Sequence, residues 1–461
     1  MDRLTADDRL MLWPDEIWPQ EIGALAVLDG RPLLGPSGNL RIEAVRAAIG
    51  ARLHLVPRFR QLLCVPRRGL GGPLWVDAPA FDLREHVRVV PLPAPGDEAQ
   101  LLLVTERLRR QRLDRSRPLW AMWLLPGLPG NRVGLFVKMH HAIADGVAGV
   151  ATVGALLDTD PDTPAGPPRP WRPAPPPAAR DLLADGLRRH AGDLGRAVSA
   201  LARPGTIARQ GMAVWPAVRE LVAGPPGPRT SLDRVVGPGR SLALIRTDLG
   251  QVTAVAHAHG AKVNDVLLTI TAGGLRGLFR GRGEPVEGLV LPIYVPVTLR
   301  PERLRDQARG NQIGQMVVPL PIGVPDPGRR LTLIAAETAR QKAESHPALG
   351  KLLRGRLARR ALLKLIDRQP VSLTSADVPG PRTPCYRAGA RLLEVFPVLP
   401  LIARVSLGVA ALSYDGQFGI MAVADQEACP DLGVFAASAR DELRALAAAA
   451  SAAPGPAAAR P

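Results

Sequence analysis

Val133-Gly-Leu-Phe-Val-Lys-Met-His140-His141-Ala-Ile-Ala-Asp145-Gly146-Val-Ala-Gly149 is the stretch on which the fold turns. The apolar run Val133 to Val137 reads as a buried strand, and it ends in two adjacent histidines. Asp145 and Gly146 open a helical-looking segment of small apolar residues that runs to Leu157. The Asp145 carboxylate stands where it can accept from the N–H groups of that helix's first turn. Side chains alternate across a strand, so His140 and His141 point in different directions. One can face a cleft while the other packs within the scaffold. An imidazole held at a strand end suits general-base work, because its ordinary pKa lies near neutrality. A bare His-His pair is more often two satisfied core residues. The spacing His-His-x-x-x-Asp-Gly at a strand-to-helix corner favours the chemical reading.

The chain has 461 residues, enough for two domains of ordinary size, and its 46% hydrophobic content fits a globular protein. No charged start followed by an apolar core suggests a signal peptide. The most apolar stretch, Leu392 to Leu412, is broken by Glu394, Pro397, Pro400 and Arg404, so it does not read as a membrane span. Cys64, Cys385 and Cys429 are scattered without metal-ligand spacing, as suits a reducing cytoplasm. Only five of the 59 basic residues are lysine, a bias that GC-rich codons produce without functional demand. The net charge of +17 nevertheless favours anionic partners. With 4% aromatic residues and no nucleic-acid module, anionic membrane lipid is preferred over nucleic acid.

In chain order, Leu4 to Trp13 carries Asp7 and Asp8, and Ile22 to Leu28 reads as a strand. Asn39 is placed to cap a helix reaching about Leu55, which leads into Pro57-Arg58-Phe59-Arg60. Trp75 to Leu83, His86-Val-Arg88 and a turn at Pro95-Gly96 precede a helix from Glu98 to about Gln111. Pro118-Leu119-Trp120 then opens an apolar strand to Leu125, and its reading is structural: it positions the histidine strand. Asp158 to Arg180 holds nine prolines and reads as an extended linker, followed by helix-like sequence from Asp181 to Val222. The second half offers a strand at Leu242 to Ile245. Val263-Asn264-Asp265-Val266 follows and opens a helix to about Phe279, with Asn264 as its candidate cap. Tyr294 to Arg300, Gly310-Asn311-Gln312 with a strand from Met316 to Leu320, and Ser372 to Pro381 follow. Leu349 to Arg368, seven Lys and Arg among leucines, reads either as a basic helix at a membrane surface or as a partly buried helix with snorkelling arginines. A strand from Gly389 to Pro397, Leu412 to Gly416, and a last helix from Leu432 to Ala448 complete the ordered chain. The tail, 449–461, reads as disordered.

The histidine motif resembles that of the CoA-dependent acyltransferase superfamily, which includes chloramphenicol acetyltransferases and peptide-synthetase condensation domains. The further motifs, in order, resemble the bacterial wax ester synthase/diacylglycerol acyltransferase family over most of the chain outside the linker and tail. These are the opening Asp7-Asp8 segment, Pro-x-Phe-Arg, Pro-Leu-Trp, Val-Asn-Asp-Val, the strand at Tyr294, and Asp377-Val-Pro-Gly-Pro. In the last the family's asparagine is replaced by Asp377, and an ionised carboxylate accepts but cannot donate.

The resemblance implies an α/β fold of two chloramphenicol-acetyltransferase-like domains, each a mixed sheet with flanking helices, and an active-site tunnel between them. The expected division is 1–157, a connector at 158–228, and 229–448. It further implies an O-acyltransferase moving a long-chain acyl group from acyl-CoA to diacylglycerol or a fatty alcohol, at a membrane or lipid-droplet surface. Peripheral attachment at the cytoplasmic face follows from that chemistry, and no metal or other cofactor is expected. His141 would be the general base, supported by His140, with Asp145 and Gly146 holding the loop. Asn264, Asp265, Ser372, Thr374 and Ser375 are the candidates for oxyanion or substrate support. No Gly-x-Ser-x-Gly elbow is present and no cysteine has a histidine next to it in sequence, so a covalent acyl-enzyme is not suggested; a Walker loop and a dinucleotide fingerprint are absent too. Two rival readings are acylation of a polyketide or amine, and a homologue that binds lipid or acyl-CoA without turnover.

Overall fold

The computed structural model describes residues 2–67, 70–164, 166–201, 228–298, 313–344 and 371–452. A small sheet joins β1 (Asp2–Arg3), β3 (Gln61–Cys64) and β4 (Leu74–Asp77). The first large sheet contains β2 (Glu21–Asp29), β5 (Val87–Val89), β6 (Trp120–Leu128) and β7 (Arg132–His140), with β12 (Tyr386–Arg387) and β13 (Ala390–Val398). Its order is β12-β13-β2-β7-β6-β5, and only the β5–β6 pair is parallel. Gly130 (φ 71°) and Asn131 (φ 56°) make the tight β6–β7 turn, where two left-handed residues match the twist of the strands. Both faces of this sheet are covered, which is why its central strands are almost continuously apolar. Ala26, Leu135, Val137 and Met122 face Val45 and Ile49 of α2 (Ile42–Arg52). Leu25, Val27, Phe136 and Trp123 face α3 (Glu98–Arg110) and the second sheet.

That second sheet runs β10-β9-β11-β14-β15-β8, from β8 (Arg240–Asp248), β9 (Leu291–Thr298), β10 (Ile313–Leu320), β11 (Leu373–Pro379), β14 (Leu407–Tyr414) and β15 (Gln417–Asp425). β11 is parallel to both neighbours, so this sheet too is mixed. One face buries α6 (Leu249–Ala258), α7 (Val263–Gly281), α8 (Pro327–Glu344) and α9 (Leu432–Ala452) around Ile245, Val409, Phe418 and Phe435. On the other, Leu244, Met421 and Val423 meet the first sheet. At that seam β15 passes so close to β13 that a Cβ on Gly419 would lie 2.2 Å from the Val395 carbonyl oxygen.

Four sequence expectations change here. The unit expected at 229–448 is not one sheet, because β12 and β13 leave it and complete the first sheet alongside β2. Apolar alternation tells a strand which face to bury but not which edge to join. Asn39 does not cap α2; its side chain turns to Ser37, and the helix begins after Arg41. The connector is tied down rather than free. Asp158 bridges to Tyr386 and pairs with Arg52, and Trp171 packs edge-on to Phe81 beneath the Arg60 guanidinium. The helix that follows, α5 (Ala179–Leu201), is held by Arg3 to Asp185 at 2.7 Å. Finally, α9 continues through Ala452, past the expected end at Ala448. The rest of the connector, the basic segment Leu349 to Arg368, Arg300 and Gly310-Asn311-Gln312 lie outside the described residues. No described helix is long and apolar enough to cross a membrane.

Candidate active site

The histidine corner is held by backbone from both sides. The His140 N–H donates to Leu119 O at 2.9 Å and the His141 N–H to Gln20 O at 2.8 Å, so the strands flanking β7 each fix one histidine. The His140 ring is 3% exposed, and its Nδ1 accepts the Ala142 N–H at 3.0 Å. Nδ1 therefore acts as the acceptor, and the ring's N–H stands at Nε2. His141, just past the strand, is half-buried and is the more accessible of the two. Ala142 to Ala144 are buried. Asp145 then caps α4 (Gly146–Gly154), its Oδ1 accepting the Ala148 N–H at 2.8 Å. A Cβ on Gly146 would stand 3.2 Å from Val378 Cγ2, so the corner presses against β11 of the second sheet.

Asp15, which no sequence motif signalled, lies beneath this corner. Its Oδ1 accepts the Gln20 N–H at 2.6 Å and lies 3.3 Å from His140 Nε2, a contact too bent for an aligned hydrogen bond. Its Oδ2 meets Arg115 at 2.5 Å. Burial pushes this carboxyl up, but His140, the Gln20 N–H and Arg115 outweigh burial and hold it well below the ordinary carboxylate range. Asp15, Glu21, Arg112, Arg115, Leu119 and His140 line a cavity of about 140 Å³. Two residues before His140, on the same face of β7, Lys138 is fully buried. Its Nζ contacts Glu21 at 2.9 Å and donates to Leu108 O and Arg109 O at 3.3 and 3.2 Å, closing the carbonyl end of α3. Burial lowers the Lys138 pKa and Glu21 pulls it back up. A larger cleft of about 500 Å³ between α2 and residues 158–169 shares no residue with the histidine corner, and its size does not make it the reaction site.

Pro118-Leu119-Trp120 has a structural place. Leu119 supplies the carbonyl that holds His140, while the Trp120 ring stacks on Phe59 and His86 with centroids 4.3 and 4.6 Å away. Trp120 Nε1 donates to Phe59 O at 2.9 Å, and His86 Nδ1 lies 2.8 Å from Trp120 O. Two motifs far apart in sequence, Pro57 to Arg60 and Pro118 to Trp120, thus meet in one stack.

Residues 4–267 match the sequence model of the wax ester synthase/diacylglycerol acyltransferase catalytic domain, and 309–447 that of the family's C-terminal domain. The chain belongs to this family. A putative diacylglycerol O-acyltransferase of Mycobacterium tuberculosis is 33% identical, over 97% of this chain and 98% of the relative. A probable diacylglycerol O-acyltransferase of the same organism is 31% identical, over 92% and 90%. Among solved structures, the wax ester synthase/diacylglycerol acyltransferase from Marinobacter aquaeolei VT8 superposes with TM-score 0.68 at 25% identity, covering 97% of this chain and 100% of that one. The starter condensation domain of rhizomide synthetase shares the fold, with TM-score 0.59 at 16% identity over 99% and 96%. The protein is therefore an acyltransferase of two α/β units.

Within this wax ester synthase/diacylglycerol acyltransferase fold, the candidates from the second half lie at the start of α7 and on or beside β11. Asn264 is not the cap of α7. Lys262 holds that position, and Asp265 reaches back, its Oδ2 accepting the Lys262 N–H at 2.9 Å and its Oδ1 the Thr338 hydroxyl at 2.7 Å. Asn264, already inside the first turn, is half-buried. Thr374 gives its hydroxyl proton to Tyr294 O at 3.2 Å, and Ser372 is buried. Ser375 is fully buried, with no partner for its hydroxyl among the described residues. Strand alternation puts Ser375 and Asp377 on the helix-covered face of β11, opposite Val378, which touches the histidine corner. Burial pushes the Asp377 carboxyl up to about 6 against the pull of Lys342. Lys262, Asp265, Lys342 and Asp377 together form a charged cluster at the start of α7.

Proposed function

We propose that this chain transfers a long-chain acyl group from acyl-CoA to the hydroxyl of diacylglycerol or a fatty alcohol, giving triacylglycerol or wax ester. His141 is the general base. It takes the hydroxyl proton as that oxygen attacks the thioester carbon, and the tetrahedral intermediate then expels CoA thiolate, which regains the proton from the His141 imidazolium. No acyl-enzyme forms, and the only small molecules the reaction needs are its two substrates. The observation that carries this reading is the division of labour at the corner. His140 is buried, with its Nδ1 taken by the Ala142 N–H and its Nε2 against Asp15, while His141, whose backbone N–H is held by Gln20, keeps part of its surface exposed. Family membership supplies the reaction class. The lipid acceptor makes peripheral contact with a membrane or lipid droplet, on the cytoplasmic side where acyl-CoA is made, the natural setting.

Thiol release from palmitoyl-CoA, with diacylglycerol, hexadecanol or an amine as acceptor, tests the reading. The intact chain should release CoA with the alcohols, and His141→Ala should lose about 10²–10⁴-fold of that rate. Turnover with the amine alone would move the chain to another acceptor class. Binding of palmitoyl-CoA with no release, unchanged in His141→Ala, would make it a non-catalytic homologue.

A further inference from the structure

We infer that Asp15 is a positioning residue for the acyl transfer, one carboxylate that sets the orientation of both histidines; this rests on His141 being the base. Two paths leave its side chain. Along the first, Asp15 Oδ1 accepts the Gln20 N–H at 2.6 Å, and the Gln20 carbonyl accepts the His141 N–H at 2.8 Å. The base is thereby hung, through the backbone of one residue, from a buried anion. Along the second, the same oxygen faces His140 Nε2 at 3.3 Å, while the far side of that ring takes the Ala142 N–H at 3.0 Å. The His140 ring is thus a spacer between Asp15 and the turn that follows His141. Gln20 cannot drift, because its own amide donates to Trp18 O at 2.8 Å.

Chemistry at this position favours a carboxylate over any neutral acceptor. Three groups converge on Asp15: a backbone N–H, an imidazole N–H and, at 2.5 Å, the Arg115 guanidinium. An amide could serve the backbone donor with its oxygen but would turn an NH₂ toward Arg115, placing donor against donor. A shift of about 1 Å in a base can lose about 100-fold in rate without changing what binds. The expected signature of losing Asp15 is therefore a fall in kcat per folded molecule with KM little altered, whereas a merely structural acceptor would lower apparent kcat only by the fraction unfolded and leave the folded molecules at the wild-type rate.

The experiment compares the full chain with Asp15→Asn, Asp15→Glu and His141→Ala. It measures kcat and KM for palmitoyl-CoA and hexadecanol on folded protein, alongside thermal unfolding and nitrogen-15 spectra of histidine-labelled samples. Asp15→Asn should lose about 10–100-fold in kcat with KM within about threefold, and Asp15→Glu, which restores the charge, should recover part of it. In the intact chain the His140 ring should appear as the Nε2–H tautomer, and in Asp15→Asn the His140 and His141 ring signals should both move. An unchanged kcat in folded Asp15→Asn, or ring signals left in place, overturns the inference. If Asp15→Asn fails to fold, Asp15→Glu decides: wild-type kcat with unmoved ring signals overturns the inference, and reduced kcat with moved signals upholds it. An intact chain that releases no thiol with any acceptor overturns the proposed function instead, so the two failures are distinct.

Discussion

Replacing Asp377 by asparagine should stabilise the protein at alkaline pH and not at acid pH. In the folded chain burial raises this carboxyl from 3.8 to about 6, with Lys342 opposing. As pH rises the unfolded chain gives up the proton first, so the native state binds more protons across that window. The stability associated with the neutral acid is present below about pH 4 and is lost as pH climbs through about 6. A shift of roughly two units corresponds to about 3 kcal/mol at full ionisation, of which about 2 kcal/mol falls between pH 4.5 and 8. Asparagine is nearly isosteric and never ionises. The stability difference between Asp377→Asn and the intact chain should therefore grow by about 2 kcal/mol in favour of the variant from pH 4.5 to pH 8. Urea unfolding at the two pH values reads this directly, and thermal midpoints should separate by about 2–4 °C per kcal/mol for units of this size. Comparing two pH values cancels whatever the substitution does to packing. If the difference is the same at both, or shifts toward the intact chain at pH 8, the carboxyl is not held neutral by burial and the account of that cluster is wrong.

Three further outcomes follow from the packing. Lys138→Met leaves Glu21 buried without its cation and the end of α3 without its donor, a loss of about 3–5 kcal/mol in urea unfolding; adding Glu21→Gln should recover part of it. Trp120→Ala removes the middle of the Phe59–Trp120–His86 stack and the bond to Phe59 O, and its unfolding free energy should fall by about 3–5 kcal/mol. Gly419→Ala drives a methyl into the Val395 carbonyl at the seam, so it should be destabilised by about 1–3 kcal/mol, while Gly433→Ala, where a Cβ meets nothing within 4 Å, should not.

Much of the fold is carried by short-range pattern. The apolar run before His140, the acidic cap at Asp145 and the small residues after Gly146 specify strand, turn and helix within a few residues of one another, and all three form. Apolar runs at Ile22 and Leu119 and alternation at Leu242 likewise located strands. Where two nearby side chains compete for one task, the pattern misleads. Asn264 and Asp265 both suit a helix start, and only the backbone path shows that Lys262 is the cap and Asp265 the acceptor. Hydroxyls at Ser372, Thr374 and Ser375 look alike in sequence, yet strand alternation turns Ser375 away from the histidine corner.

The amino-acid sequence by itself determined that this is a two-part α/β acyltransferase with a histidine pair at a strand-to-helix corner, because capping, alternation and motif order act over a handful of neighbouring residues. Tertiary structure alone decided which imidazole is buried and which is partly exposed, that Asp15 lies beneath the corner that holds both, and that β12 and β13 finish the first sheet. Those contacts join residues far apart in the chain, and a pairing of that kind leaves no period or spacing to read.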